Sequence, residues 1–77
     1  MSTGQDLNNF DTSCVHRVSA DNLKNAPVYA NQYRGWMIVL GTGGKAYRWQ
    51  VFCDTQLHVT YQRYATYTGE WSNWVQI

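Results

Sequence analysis

Few side chains in this sequence could act as a nucleophile or as a base. The candidates are two cysteines, two histidines and two aspartates, at Cys14, Cys53, His16, His58, Asp11 and Asp54. A catalytic nucleophile needs a base within hydrogen-bonding distance and a third group that orients this base. Cys14 and His16 would share one face of a strand, but no strained turn of the kind that presents a nucleophile accompanies them. We therefore expect no enzymatic activity.

Metal binding and glycoside cleavage have little support in the sequence either. A structural zinc site takes about four ligands at characteristic spacings. The set formed by Cys14, His16, Cys53 and His58 matches none of these spacings. Glycoside hydrolysis uses a pair of carboxylates, whereas the five acidic residues of this chain are scattered without a marked pair. We expect no metal site and no cofactor.

Aromatic and planar polar side chains suit binding better than catalysis. Aromatic residues make up 16% of the chain and charged residues only 14%, so some rings are expected to face a partner. Trp71 and Trp74 could both seal a small core, or one of them could offer its ring to the C–H face of a sugar. Tyrosine gives rigid contact area and a hydroxyl group, which makes Tyr64 and Tyr67 the preferred ligand contacts. The candidate glycan-binding residues are Tyr64, Tyr67, Trp71, Arg48, Gln50 and Gln62.

These candidates must be positioned by a series of strands in the second half of the chain. Residues 36–40 form an apolar run that ends in a glycine-rich turn. Both faces of that run are apolar, which fits a strand covered on both sides or one with a face buried in an oligomer. Further strands are predicted over 46–53 and 57–64, and the chain closes on 71–77.

The hairpin between residues 46 and 64 allows a prediction of register. A three-residue loop at 54–56 would bring apolar or aromatic residues together in three pairs: Cys53 with Leu57, Val51 with Val59 and Trp49 with Tyr61. The other face of the hairpin would then be polar, with Phe52 as its exception: Arg48, Gln50, His58, Thr60, Gln62 and Tyr64. Its amide and guanidinium groups could bind hydroxyl or anionic groups of a glycan, or the face could simply be solvated.

The first half of the chain gives weaker signals. A short strand is predicted over 14–18 and one helical turn within 19–25. Asn25 must be extended or in a turn because proline follows two residues later and Ala26 between them avoids the helical region. The fold predicted for the whole chain is all-β, a small antiparallel sheet or meander with room for one short helical turn.

Length and charge bound the class of protein. Seventy-seven residues make one small domain; we expect a linker or the start of an excised domain at 1–5 and a single knob-like binding domain over 6–77.

The net charge is +1 and the basic residues are scattered, which argues against nucleic-acid binding. No apolar stretch is long enough to insert into a membrane, and the N-terminus does not read as a signal peptide. Two reduced, buried cysteine thiols are favoured over one disulfide bridge.

The order of short segments along the chain is similar to that of a known family. The segments are DLN at 6–8, NAP at 25–27, GWMIVL at 35–40, WQVF at 49–52, YQR at 61–63 and WSNWVQI at 71–77. Together they resemble the pyocin knob family, the small domains of R-type pyocin tail fibres and many phage tail fibres. The resemblance covers roughly residues 6 to 77.

The resemblance implies a β-rich knob on a homotrimeric tail fibre of a virion, assembled in the host cytoplasm and acting outside the cell. It also implies attachment to a bacterial surface polysaccharide or lipopolysaccharide, and it supplies no catalytic residues. Two alternatives remain open. The chain could be a structural spacer or trimerisation knob that binds no ligand, or an accessory domain of a glycan-degrading phage enzyme.

Overall fold

A computed structural model describes residues 1–29 and 31–77 of the chain. Its five strands form one antiparallel meander sheet, in which each strand pairs with the next one along the chain. The strands are β1 (Thr12–Asp21), β2 (Gln32–Thr42), β3 (Arg48–Asp54), β4 (Val59–Ala65) and β5 (Val75–Gln76). The prediction of a small all-β meander is therefore confirmed. Within the described ranges, no helix has the length and apolar character needed to cross a membrane.

The single helical turn lies at a different place from the one predicted. It is a 3-10 turn at Leu7–Asn9, before the first strand, and its first N–H groups are capped by Asp6, whose side chain accepts a hydrogen bond from Asn8 N at 2.9 Å. The segment 19–25 is not helical, because β1 continues to Asp21 with Val18 and Ala20 on its buried side. Alternate burial along this stretch favours an extended chain.

Strand β2 shows which side of the sheet carries the core. Its odd-numbered residues are buried, with Met37 and Val39 fully enclosed, whereas Trp36 and Leu40 on the other side remain 44% and 49% exposed. We call these sides the covered face and the open face. The apolar run at 36–40 therefore has one covered side and one side on which its large residues stay about half exposed. The open face includes Val15, Trp36, Ile38, Leu40, Trp49, Val51 and Tyr64.

The covered face is enclosed by irregular segments rather than by a second sheet. Leu7 from the N-terminal segment and Leu23 and Ala26 from the loop after β1 join the buried cluster of the sheet, and Trp74 near the C-terminus packs against it. Burying one large aliphatic or aromatic side chain stabilises a fold by about 1.5–3 kcal/mol. The core thus depends on three segments that have little regular structure of their own.

The β3–β4 hairpin does not have the predicted register. The turn spans residues 55–58, and Val51 pairs with Gln62 instead of Val59. The partner of Val51 is thus displaced by three positions along β4, from residue 59 to residue 62. Because three is an odd number, each side chain of β3 lies on the face opposite to the predicted one. The prediction that Trp49 and Cys53 face the core while Arg48 and Gln50 face solvent is therefore wrong.

The four-residue turn has a local cause in the side chain that precedes it. Asp54 Oδ1 accepts hydrogen bonds from the backbone N–H groups of Gln56 and Leu57, both at 2.9 Å. His58 then adopts a left-handed conformation with φ 59° before β4 begins. In β4 the predicted alternation is correct, since Tyr61 and Arg63 lie on the covered face, while Gln62 and Tyr64 lie on the open face.

The two cysteines are free and lie on opposite faces of the sheet. Cys14 pairs with Val39 on the covered side, near the edge, and Cys53 pairs with Trp36 on the open side. The thiols are unbridged, as favoured from the sequence, but Cys14 is exposed rather than buried because β1 is an edge strand.

Candidate functional site

The residues predicted to bind a glycan are distributed over separate places in the fold. Arg48 and Gln50 are on the covered face and only 3% and 0% exposed. Gln62 and Tyr64 are on the open face, and Tyr67 is exposed in the loop after β4. The single polar sheet surface expected from the sequence does not form, because the turned strand β3 carries its polar side chains inward.

Three of the residues on the open face contact one another. Gln62 Oε1 accepts hydrogen bonds from Trp49 Nε1 at 3.2 Å and from Tyr64 Oη at 3.0 Å. The rings of Trp49 and Tyr64 are tilted with centroids 6.5 Å apart. This group fixes the orientation of a half-exposed tyrosine, and it lies on the opposite side of the sheet from Arg48 and Gln50.

Gln50 is a buried amide whose hydrogen bonds hold the N-terminal segment on the sheet. Its Nε2 donates to Leu7 O at 2.8 Å and to Phe10 O at 3.1 Å. Its Oε1 accepts a hydrogen bond from Arg63 Nε at 2.9 Å. A buried polar group is tolerated when it is hydrogen-bonded in this way, so Gln50 is a structural residue here.

Arg48 has a similar structural role with three carbonyl acceptors. Its Nε donates to Lys45 O at 2.8 Å, its Nη1 to Asn8 O at 2.9 Å and its Nη2 to Gly69 O at 3.1 Å. These bonds join the 3-10 turn, the loop before β3 and the loop after β4. Burial lowers the pKa of Arg48, because the charged form loses contact with water.

Arg48 and Arg63 form a cluster with the two tryptophans of the C-terminal segment. The guanidinium carbons of Arg48 and Arg63 lie 4.2 and 4.0 Å from the Trp71 ring centroid. Arg63 also lies 4.6 Å from the centroid of Trp74. Contacts of this kind stabilise by about 0.5–2 kcal/mol. Of the two sequence alternatives for Trp71, this packing favours the one in which the ring seals the core.

Within residues 1–29 and 31–77, neither of these two arginines forms an ion pair with a carboxylate, although Asp6 acts on Arg63 and Asp11 on Arg48 from a greater distance. The ion pairs among the described residues are Arg34 with Asp21 at 3.4 Å and Lys45 with Asp11 at 3.9 Å, and neither includes Arg48 or Arg63. Burial, and then the charge of Arg48, lower the pKa of Arg63 to about 10, while Asp6 opposes this shift. Buried charges are normally compensated. Arg48 is compensated by its three carbonyl acceptors, so Arg63 is the arginine with room for an outside partner.

Beside this cluster lies an open groove of about 860 Å³. It runs between the loop after β1 and the segment 69–74, and Arg63, Trp71 and Trp74 are among its lining residues. Five asparagines are also among its lining residues: Asn8, Asn22, Asn25, Asn31 and Asn73. The side-chain Nδ2 of Asn25 already donates to Asp6 Oδ1 at 2.8 Å. Trp74 Nε1 donates to Asn25 O at 2.8 Å and so connects the two walls.

Among residues 1–29 and 31–77, three buried polar atoms of groove residues have no hydrogen-bond partner. They are Asn8 Oδ1, Arg63 Nη2 and Trp71 Nε1. Each unpaired buried polar atom costs about 1–3 kcal/mol, and native proteins contain few of them. One acceptor and two donors therefore belong to residues that line the same groove. All three atoms are buried, so a bound polar molecule can pair with them only if neighbouring side chains move.

Sequence reasoning named Trp71 as a candidate and considered Trp74 beside it, but it missed Arg63 and the asparagines. Asparagine is common in turns, and Asn22 and Asn25 have left-handed φ values of 53° and 56°. The turn conformation therefore already explains these asparagines, and the sequence gives no separate sign that they bind a ligand. One residue did indicate that the predicted orientation of β3 was wrong: Phe52, the one apolar residue on the predicted polar face. Turning β3 over removes that exception, because Phe52 is fully buried.

The candidate nucleophiles and bases have other contacts. His16 packs edge-on against Phe10 with ring centroids 4.7 Å apart, and Asp54 Oδ2 accepts a hydrogen bond from Tyr29 Oη at 2.6 Å. Over residues 1–29 and 31–77, no hydrogen bond joins a cysteine to a histidine, and no three of the His, Cys, Asp and Glu side chains there converge as metal ligands would.

Comparison with known proteins gives no relative for this chain: no family model, no curated protein and no solved structure matches it.

Proposed function

We propose that this chain is a non-catalytic binding module of the tail-fibre knob type, which attaches to a polysaccharide or lipopolysaccharide on a bacterial surface. The contact site is the groove between the loop after β1 and residues 69–74. The observation that carries this proposal is the set of three unpartnered buried polar atoms in residues that line one groove, at Asn8, Arg63 and Trp71.

The size and the chemistry of the groove suit a short stretch of sugar. Sites for small molecules commonly have volumes of roughly 300–1,000 Å³, and this groove has about 860 Å³. Side-chain amides offer both donors and acceptors, which is what neighbouring sugar hydroxyls need. Asn31 and Asn73, which are exposed, supply such groups here. An open groove of this kind binds weakly by itself, because water competes for every hydrogen bond.

The tail-fibre assignment rests on the ordered segments that resemble the pyocin knob family, including WSNWVQI at 71–77. That last segment contributes two of the indoles of the groove, Trp71 and Trp74. A homotrimeric fibre would present several copies of the groove, and linked copies raise overall avidity by about 10²–10⁴-fold over one site. Weak single sites are therefore compatible with firm attachment.

The test is a glycan and lipopolysaccharide array probed with the purified chain and with two double variants. Asn31→Ala with Asn73→Ala removes two exposed amides of the groove, and we expect it to lose array binding. Tyr64→Ala with Tyr67→Ala removes the contacts preferred from the sequence, and we expect it to keep array binding. The reverse result, with unchanged circular dichroism for both variants, would place the contact at the tyrosines and contradict the groove.

A second candidate function, a spacer or trimerisation knob without ligand, is favoured by one specific observation. Trp36 and Leu40 are large apolar residues of the open face that remain about half exposed, with Arg17 lying over the Trp36 ring. Sedimentation of the isolated chain separates the two functions. A monomer that binds the array supports the glycan module, whereas a trimer that binds nothing supports the spacer.

A further inference from the structure

We infer that the groove recognises an anionic group on its glycan, either a carboxylate or a phosphate, and that Arg63 is the residue that binds this group. The inference rests on the proposed function, because it names a chemical feature of the ligand within the same groove. It is carried by the hydrogen bonds that Arg63 makes, by those that it lacks, and by the charges around it.

Arg48 and Arg63 are both more than nine-tenths buried, yet their hydrogen bonding differs. All three nitrogens of Arg48 donate to backbone carbonyls. Arg63 has a protein acceptor for Nε, which is Gln50 Oε1, and none for the buried Nη2. Arg48 is thus engaged by the fold, while the end of the Arg63 guanidinium group keeps donors for another molecule.

Charge favours an anion as that molecule. Two buried guanidinium groups lie against the same indole, that of Trp71, without a carboxylate in hydrogen-bonding contact. A carboxylate or phosphate accepts paired N–H bonds from guanidinium. It would add to the charge of Asp6, which acts on Arg63 without bonding to it. Trp71 Nε1, a second unpartnered donor in a groove residue, adds an N–H group that suits an anionic oxygen.

Glu70 is the carboxylate among the residues that line the groove, and it is exposed. Water and salt screen an exposed charge strongly, so its repulsion of an anion is weaker than the attraction of a buried arginine. The position of Glu70 predicts that the rest of the ligand near the mouth is neutral and rich in hydroxyl groups. An acidic sugar within an otherwise neutral chain meets both conditions.

The guanidinium group of Arg63 is held in place before any ligand binds. Its Nε is fixed by Gln50, and its carbon lies 4.0 and 4.6 Å from the centroids of Trp71 and Trp74. Preorganisation lowers the entropic cost of binding. Because Nη2 is covered, an anion can reach it only if a neighbouring side chain moves, and Trp71 and Trp74 are the rings beside the guanidinium group. A movement of Trp74 would be reported by its Nε1 bond to Asn25 O.

The inference can be tested with four small probes on the full ¹⁵N-labelled chain: D-galacturonate, D-galactose, galactose 6-phosphate and inorganic phosphate. The indole N–H peaks of Trp71 and Trp74 are assigned by Trp→Phe substitution and followed by NMR. We expect the two acidic sugars to shift both peaks and to bind about 10-fold or more tightly than galactose, as a charge-assisted pair implies. A comparison of the affinities for galacturonate and galactose 6-phosphate then shows whether the site prefers a carboxylate or a phosphate.

Two substitutions and a control assign the effect to Arg63. Arg63→Gln should abolish the preference for acidic sugars, and Arg63→Lys, which keeps the charge and is a safer variant for folding, should retain part of it. Arg17 is exposed on the edge strand β1. Arg17→Gln also removes one positive charge and should leave the preference for acidic sugars unchanged.

The outcomes separate this inference from the proposed function. Equal affinity for galactose and galacturonate, or a preference that survives in Arg63→Gln, would overturn the anion site and leave a groove for neutral sugars. Equal affinity for inorganic phosphate and galactose 6-phosphate would support the anion site and count against a sugar-binding groove. If no probe shifts either indole peak, the anion site is wrong, and binding to the array then decides the proposed function alone.

Discussion

Arg63 donates a hydrogen bond from Nε to Gln50 Oε1 at 2.9 Å, and the two residues are directly opposite each other on β4 and β3. Both are buried between the sheet and the segments that cover it. The remaining hydrogen bonds of the Gln50 amide go to Leu7 O and Phe10 O. One side chain therefore fixes the N-terminal segment to the core and also orients the guanidinium group of the proposed anion site.

Replacing Gln50 should destabilise the fold strongly. Gln50→Leu has nearly the same volume but leaves Phe10 O and Arg63 Nε without partners and takes one of its two donors from Leu7 O, so we expect a loss of about 2–5 kcal/mol in the free energy of unfolding. Urea denaturation measures it. The control, Gln62→Leu on the open face, should cost less than about 1 kcal/mol. Equal costs for the two variants would contradict the structural role of Gln50.

Gly35 should not tolerate a larger side chain. A Cβ atom at this position would overlap Cys53 O on the neighbouring strand β3. Gly35→Ala must separate β2 from β3 locally, and we expect a cost of about 2–4 kcal/mol or failure to fold. Gly44→Ala is the matched control, because no atom lies within 4 Å of its added Cβ. A thermal melt that shows equal effects for the two variants would contradict this packing.

The hydrogen bond between Tyr29 and Asp54 should give a stabilisation that depends on pH. Burial opposes ionisation of Asp54, but bonds from Tyr29 Oη and from the N–H groups of the following turn outweigh it and lower its pKa. A carboxyl group with a lowered folded pKa stabilises above its unfolded value, about 3.8, and this stabilisation is lost as the pH falls through the folded value.

Tyr29→Phe should therefore cost about 1–2 kcal/mol at pH 7 and clearly less at pH 2.5, where Asp54 is protonated in the unfolded chain. Urea denaturation at the two pH values gives the comparison. Tyr64→Phe, which removes an exposed hydroxyl group, is the control and should cost less than about 0.5 kcal/mol at both. A cost for Tyr29→Phe that is the same at the two pH values would count against the assignment.

His16 should make the domain less stable in mild acid. Burial, and then the charge of the N-terminal amine, lower its pKa below the usual 6.5. Below about pH 6.5 the unfolded chain therefore binds a proton that the folded chain resists, so stability falls as the pH decreases from 7.5 to 5.0.

Thermal melts at these two pH values should show the loss in the parent chain and in His58→Gln, whose histidine is exposed. The loss should be smaller in His16→Gln. Parallel losses in all three proteins would show that another group is responsible.

The sequence was sufficient for the fold class and for the alternation in β4, because Tyr61 and Arg63 alternate with Gln62 and Tyr64 in a regular way. It was not sufficient for the side of β3 that faces the core. Pattern rules put glutamine and arginine in solvent, whereas Gln50 is buried because backbone carbonyls of a distant segment accept its hydrogen bonds. Such partners cannot be read from local spacing.

The site was missed for a related reason. Its residues come from the 3-10 turn, the loop after β1, strand β4 and the C-terminal segment, so only the folded chain brings Asn8, Asn25, Arg63 and Trp74 to one groove. The turn at 55–58 shows how small the decisive contacts can be. Two hydrogen bonds to the side chain of Asp54 accompany a turn of four residues instead of the predicted three. With that turn, the side chains of β3 lie on the faces opposite to those predicted.

Chemical-shift mapping with the glycan that binds best on the array tests the location of the binding site most directly. If the groove is the site, the largest shifts should fall on the backbone amides of residues 22–25 and 69–74 and on the indole N–H groups of Trp71 and Trp74. Shifts centred on Trp36, Leu40 and Tyr64 would instead place the ligand on the open face and contradict a binding groove.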